Sequence, residues 1–433
     1  MKHYSGNPIK LSQPAGAALA FMGVKGSIPM WHGAQGCTAF SKILFIQHFR
    51  EPMPFQTTAL THTTVVMGGD GNALEAMENV KKEARFIGLL TTGVTEASGS
   101  DINRIAKTFA EANPGLPLVA VGAPDFEGSL ETGYVKACEA MIKTLAKPRT
   151  SPRKKQVAVF AGPYVTPGEV EEIRNIIEDS GLRPVIFPDL GDSLNGYLAD
   201  DDFSPCSIGG VTVEEIETLA DSALTLSVGS SMKPLAESFA KENGLPAAHY
   251  DSLATIDELD GFHKMLSEIF RVSVPSRYRK QRKYFMDALL DTQFYFHGKR
   301  AGVAGDPEFV TRWAQALKSM GVEVATAVSI KSGFGDATDL EEFREKLTEE
   351  PVDILIGNSH VAEMAGEMGL PAVRSGMPVY DKLGEPQTVR MGYRGAAGLY
   401  MELANAFVAG AGHTEPWMSP LRASLHATEE LGR

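Results

Sequence analysis

Three cysteines in 433 residues are too few and too scattered for a disulfide framework, and none belongs to a local CxxC or CxH pair. No apolar run is long enough to span a bilayer. The segment Met1-Lys2-His3-Tyr4-Ser5-Gly6 has no apolar signal region, so a reducing cytoplasm is the expected compartment. Positive charge is also short. With 41 Lys and Arg against 54 Asp and Glu, the formal net charge of -13 excludes a general phosphate-neutralising face. Walker A, intact dinucleotide, GxSxG and HExxH patterns are missing, and the glycine-rich turn 302–307 reads as a strand-to-helix connection. His32, His48, His62, His297 and His360 stand isolated in sequence, which favours hydrogen-bonded or surface roles over catalytic ones. No residue is assigned a catalytic role.

What is present is enough apolar material, 43% of the chain, for two or three cores. A strand, glycine turn, helix, glycine, strand rhythm recurs at least three times, the pattern of parallel sheets covered by helices. Its first copy runs from Phe86-Ile87-Gly88-Leu89-Leu90 through Thr91-Thr92-Gly93 to a helix near Asp101 and a strand at 118–121. The second has a strand at 157–160, then Thr166-Pro167-Gly168-Glu169, a capping box with proline at the first helical position, then Gly181 and a strand at 184–187. The third has a strand at 300–304, the helix start Asp306-Pro307, Gly321 and a strand from 322. Further strands are predicted at 224–228 and 352–356, and a helix over 394–409. Polar punctuation at 147–155 and a basic helix at 275–290 divide the chain into units 1–150, 151–285 and 286–433. The tail after Gly412, with Trp417, has no place in this rhythm.

The chemistry concentrates at Cys37, in Trp31-His32-Gly33-Ala34-Gln35-Gly36-Cys37-Thr38-Ala39-Phe40. A short strand precedes this turn, and Phe40, Ile43, Leu44 and Phe45 follow at helical spacing. Cys37 therefore lies near a helix N-terminus, where free N-H groups and the helix dipole favour a thiolate. Gly36 allows close approach of a bulky group. A free cysteine buried in a tight turn fits the same spacing. Cys138 shares a helix face with Tyr134, Met141, Ile142 and Leu145 and reads as core, whereas Cys206 follows Ser204-Pro205 in an irregular stretch. If Cys37 holds a metal cluster, the other ligands come from another chain. Gly68-Gly69-Asp70-Gly71-Asn72 precedes a helix predicted at 73–84 and offers bare backbone, suited to docking, an anion or a simple loop.

Four motifs in order, Leu11-Ser12-Gln13-Pro14-Ala15-Gly16-Ala17, His32-Gly33-Ala34-Gln35-Gly36-Cys37, His48-Phe49-Arg50-Glu51-Pro52 and Gly68-Gly69, resemble the N-terminal region of the nitrogenase component 1 family, β-type branch. The likeness continues through Phe126-Glu127-Gly128-Ser129, His297-Gly298-Lys299-Arg300 and Ile356-Gly357-Asn358-Ser359. It implies an α/β fold of three Rossmann-like domains, each a mainly parallel sheet flanked by helices, in agreement with the rhythm.

The catalytic β subunit of that family carries cysteines where this chain has Ser12 and Gly93, and only Cys37 survives. One thiolate does not carry half of an eight-iron cluster, but it completes a [4Fe-4S] cluster, which takes four thiolates, if a partner supplies three. The resemblance thus implies the assembly-scaffold branch. There a NifE-like subunit pairs in an α2β2 heterotetramer, shares the [4Fe-4S] cluster and holds most of the iron-molybdenum cofactor precursor. A NifB-type donor would supply that precursor, the nitrogenase iron protein NifH would dock transiently, and nitrogenase component 1 would receive the product. Cys37 is then the metal ligand, Gly36, Ser12, Gly93 and Ser129 are cluster neighbours, and Gly68 and Gly69 are candidates for partner docking. Ser129 suits a helix-start turn equally well. The alternatives are a catalytic nitrogenase β subunit, a vanadium-system homologue, or a Rossmann-type module that clamps a metal or ligand; neither nucleic acid nor membrane is expected as a partner.

Overall fold

The computed structural model describes residues 10–196, 204–329 and 339–410; the acidic run Asp200-Asp201-Asp202 and the tail with Trp417 lie outside them. Three four-stranded sheets appear in chain order. The first holds β1 (Ser27–His32), β2 (Gln56–Thr57), β3 (Phe86–Thr91) and β4 (Leu118–Val121), in the order β2-β1-β3-β4. The second holds β5 (Gln156–Ala161), β6 (Arg183–Phe187), β7 (Leu224–Val228) and β8 (Ala247–Tyr250), in the order β6-β5-β7-β8. The third holds β9 (Arg300–Gly305), β10 (Glu323–Ser329), β11 (Ile354–Gly357) and β12 (Ala372–Arg374), in the order β10-β9-β11-β12. Every pairing between these strands is parallel.

The repeated order has a physical cause. Parallel neighbours need a crossover, and helices supply it while covering both sheet faces. β1, β3, β5 and β7 are accordingly buried at every residue, the polar Thr225 and Ser227 of β7 included. The helix starts follow their sequence signals. Thr166 accepts from the Glu169 amide at 3.2 Å while the Glu169 carboxylate accepts from the Thr166 amide at 3.0 Å. Pro307 opens the helix Pro307–Met320, and Gly321 closes it in the left-handed conformation.

Three local readings change. The predicted helix at 73–84 is Asp70–Val80, so Gly71 lies inside its first turn. A short helix, Gly93–Ala97, intervenes before Ile102–Ala112. The Cys37 helix, Gln35–Phe49, buries Phe45 and Phe49 but leaves Phe40 80% and Ile43 56% exposed, so its apolar spacing marks two faces of which the core covers one.

The helix Gln13–Met22 is buried at all ten residues. It crosses the helix Leu130–Leu145 at backbone contact: a Cβ built on Gly16 would overlap the Leu130 carbonyl, and one on Gly133 would overlap the Gln13 carbonyl. Glycine is needed at both positions because backbone occupies the space that a methyl would need. Phe21 lies over Gly88 of β3, where a side chain would collide with its ring. This packing fixes the first residues of Gln13–Met22 beside the loop that follows β4.

Candidate functional site

β1 and β3 are neighbours from which the chain leaves in opposite directions, β1 toward β2 and β3 toward β4. The carboxyl ends at such a reversal form the crevice where open α/β sheets bind ligands. His32 and Thr91 end the two strands in register. Cys37 follows the first and Gly93 the second.

Hydrogen bonds lock the two turns together. Thr92 Oγ1 and Thr95 Oγ1 donate to the His32 carbonyl at 3.1 and 3.0 Å, and Thr58 Oγ1 accepts from the Gly33 amide at 3.1 Å. His32 is wholly buried, its Nδ1 3.1 Å from Thr58 Oγ1 and its Nε2 2.9 Å from Ser100 Oγ. Burial holds its imidazole below the ordinary value, against the opposing pull of Asp70. His32 is therefore a strut of the turn, in line with its isolated sequence setting.

Cys37 is the third residue of its helix and half-buried; among the described residues it forms no disulfide. The helix N-terminus suggested an easy thiolate, but burial and then the Asp125 carboxylate raise the Cys37 thiol above its usual range, and backbone donors at Cys37 and Ala34 offset this only in part. A thiol in this state binds metal with release of its proton. Beside it, Gly36 faces open space, with no atom within 4 Å of a built Cβ.

The loop after β4 connects the remaining candidates. Asp125 acts on Cys37, and a Cβ built on Gly93 would overlap the Asp125 carboxylate and come within 3.3 Å of the Phe126 ring. Three residues on, Gly128 has a positive φ of 56° and a built Cβ there would overlap the Gln13 amide; Lys136 Nζ donates to Gln13 Oε1 at 3.0 Å. Ser12 is the N-cap of Gln13–Met22, and the buried Ser129 is the N-cap of Leu130–Leu145, its amide donating to Thr132 Oγ1 at 2.8 Å. The loop thus touches Gly93 and acts on Cys37 at one end, and reaches the start of the Ser12 helix at the other. Asp125 had no motif to mark it in the sequence.

Gly68 and Gly69 divide. Gly68 is exposed, with φ of 98° and open space around it. Gly69 is buried, and a side chain there would press on Leu60 and His32, so its bareness serves packing. The helix between them and the Gly33 turn, His62–Met67, leaves Val66 83% and Met67 80% exposed. The amide of Leu60 donates to the Gly33 carbonyl at 2.9 Å, which places this helix at the same end of the sheet as Cys37. Phe126, 62% exposed, joins Phe40 and Ile43 as large apolar groups facing outward at this end. So much exposed aromatic and aliphatic surface marks an interaction face.

The donor set limits what the site holds alone. Among the described residues no group of three or more His, Cys, Asp or Glu is arranged to bind a metal ion. Cys138 is buried in the core, where burial drives its thiol well above its usual range, and Cys206 packs at the edge of the first core beside Ser204. One thiol beside an open apolar face fits a cluster completed by a second chain and does not fit a self-contained centre.

Between the second and third sheets lies a narrow crevice with a cavity volume of only about 40 Å³, lined in part by Tyr164, Arg312, Trp313, Met377 and Arg390. Its charged walls are already matched, Arg312 with Glu169 and Arg390 with Glu385. A clamped solute would have to displace these pairs, so the crevice does not favour the ligand-clamp reading. No helix among the described residues is long and apolar enough to cross a membrane.

Comparison with known proteins gives a consistent result. The family model described as "Nitrogenase component 1 type Oxidoreductase" matches residues 12–408. The chain is 38% identical over 418 residues to the "Nitrogenase iron-molybdenum cofactor biosynthesis protein NifN" of Nostoc sp. strain PCC 7120, covering 93% of each chain. It is 35% identical to the protein of the same name from Klebsiella pneumoniae, covering 98% of this chain and 96% of that one. Among solved structures it is similar to "Nitrogenase Cp1 at pH 6.5", with a TM-score of 0.85, 26% identity, and coverage of 96% of this chain and 95% of that chain.

Proposed function

Because the chain belongs to the nitrogenase component 1 family and, within it, to the NifN type, we propose that it is the β-like subunit of a NifEN-type scaffold on which an iron-sulfur precursor matures to the iron-molybdenum cofactor. Cys37 is the ligand that this chain contributes to a [4Fe-4S] cluster at the junction with a NifE-like partner, which supplies the other three thiolates and holds most of the precursor. When bound, the cluster supplies electron transfer. This chain's residues position it: the bonded turns after β1 and β3 fix the Cys37 backbone, and Gly36 leaves room beside the thiol. Phe40, Ile43 and Phe126 exclude water once the partner covers them.

The observation that carries this reading is the thiol count at one place. Of the three family positions, Ser12, Cys37 and Gly93, a single sulfur remains, beside an uncovered apolar face. That set does not suit an eight-iron cluster or a catalytic β subunit. The assembly is an α2β2 heterotetramer, with NifH docking transiently on a face that includes Gly68, and its role is maturation of the cofactor rather than substrate turnover. The units 1–150, 151–285 and 286–433 are its three Rossmann-like domains. Anaerobic co-purification of both chains, with iron analysis and electron paramagnetic resonance, tests the ligand. Cys37→Ala is expected to lose or alter the [4Fe-4S] signal; a signal unchanged in amount and g-values overturns the assignment.

A further inference from the structure

The order β6-β5-β7-β8 makes β5 and β7 the point of reversal in the second sheet, and beyond the carboxyl ends of such strands an open α/β sheet takes its ligand. Here a side chain of the same protein lies there. Glu308, in the first turn of the helix Pro307–Met320 that packs on β9 and β10, is 1% exposed. One of its carboxylate oxygens accepts from the Tyr164 amide at 3.2 Å; the other accepts from the Ser231 amide at 3.2 Å and from the Ser231 hydroxyl. Gly162 follows β5 and Gly229 follows β7, and a Cβ built on either would overlap the Glu308 carboxyl group. Bare backbone at both strand ends, with amide and hydroxyl donors on one carboxyl group, is how a protein receives a bound anion. Burial raises the Glu308 pKa, while Ser231, the Tyr164 amide and the charge of Arg312 pull it down.

We propose that the carboxyl ends of β5 and β7 form a carboxylate-binding site whose ligand is internal: Glu308 fills it and latches the helix Pro307–Met320, with the third sheet behind it, to the second sheet. All three donors are spent on two oxygens, the number a carboxylate has. The latch is braced from the first unit, since the Glu308 amide donates to Glu131 Oε2 at 2.8 Å and the Glu131 amide donates to Asp306 Oδ2 at 3.2 Å. Arg312 and Trp313 ride on the latched helix and line the narrow crevice between the sheets. While Glu308 is seated, that crevice stays closed. The latch does not depend on a cluster at Cys37.

The test compares wild type with Glu308→Ala in the co-purified complex, melted in a calorimeter in sodium formate, in sodium acetate and, at equal ionic strength, in sodium chloride. In chloride the variant is expected to melt about 5 °C or more below wild type. Formate or acetate is expected to restore at least half of that shift, saturably, because the free carboxylate takes the emptied place. The proposal is overturned if the variant melts with wild type in chloride, or if neither carboxylate raises it more than it raises wild type. Should Glu308→Ala not assemble, Glu308→Met, which keeps the length of the side chain, is combined with Ser231→Ala. The latch makes the double variant's loss smaller than the two single losses together, and additive losses overturn it.

Discussion

The amide of Val379 donates to His48 Nδ1 at 3.1 Å, joining the last turn of the Cys37 helix to the segment after β12, 331 residues away in the chain. Arg50, next past the helix end, adds a bond from its guanidinium to the Tyr380 carbonyl at 3.0 Å. The helix that carries Cys37 beside the first sheet is thus anchored to the segment that follows the third.

This bond makes a pH dependence. His48 is buried, and burial lowers its pKa to about 4, with the Val379 backbone pulling the other way. The folded value lies below the unfolded one, so the unfolded chain binds more protons between about pH 6.5 and 4, and stability falls as pH drops through that window. Denaturant unfolding at pH 7 and pH 5 is expected to show a loss about 2 kcal/mol larger for wild type than for His48→Gln. Equal losses would show that His48 is not held neutral.

The crossing of the two glycine helices sets a steric prediction. Gly133→Ala places a methyl on the Gln13 carbonyl, where backbone cannot yield as a flexible side chain does. A loss of about 3 kcal/mol or more is expected, or no soluble protein. Gly36→Ala, facing open space, is the control and is expected to melt within a few degrees of wild type in calorimetry.

The uncovered face separates folding from assembly. Phe40→Glu and Ile43→Glu change residues that the described core does not cover, so each variant's melting temperature as an isolated chain is expected to stay near that of wild type. Co-purification with a NifE-like chain is expected to fall at least tenfold, because a carboxylate would be buried without a counter-ion. Undiminished co-purification would move the partner face elsewhere.

A buried ion network gives the last prediction. Arg390 is 5% exposed and contacts Glu385 at 2.6 Å and Glu402 at 3.0 Å, with its guanidinium over the Trp313 ring. Arg390→Ala leaves Glu385 buried without its main counter-charge and is expected to cost about 3–5 kcal/mol. Arg390→Met/Glu385→Leu removes both charges and is expected to recover most of that loss in denaturant unfolding.

Much of this was legible in the chain because it depends on local chemistry. The Thr166 capping box, Pro307, Gly321 and the buried runs of β1, β3, β5 and β7 act over a few residues, and each appears where its signal lies. The single Cys37, with Ser12 and Gly93 at the other family positions, is likewise a property of the sequence. Gly71 was misjudged because nothing local distinguishes a glycine before a helix from one in its first turn. Phe40 and Ile43 carry the same helical spacing as Phe45, and spacing does not say which apolar face is covered.

Tertiary structure decided the rest, since it acts through space between distant segments. Only folding brings the loop after β4 against Gly93 and sets the Asp125 carboxylate where its charge acts on the Cys37 thiol. Only the folded chain pins His48 to Val379 and raises the Cys37 thiol that its helix N-terminus alone would have lowered. The sequence determined which donor atoms exist; the fold determined which of them meet, because burial and charge act over ångströms rather than along the chain.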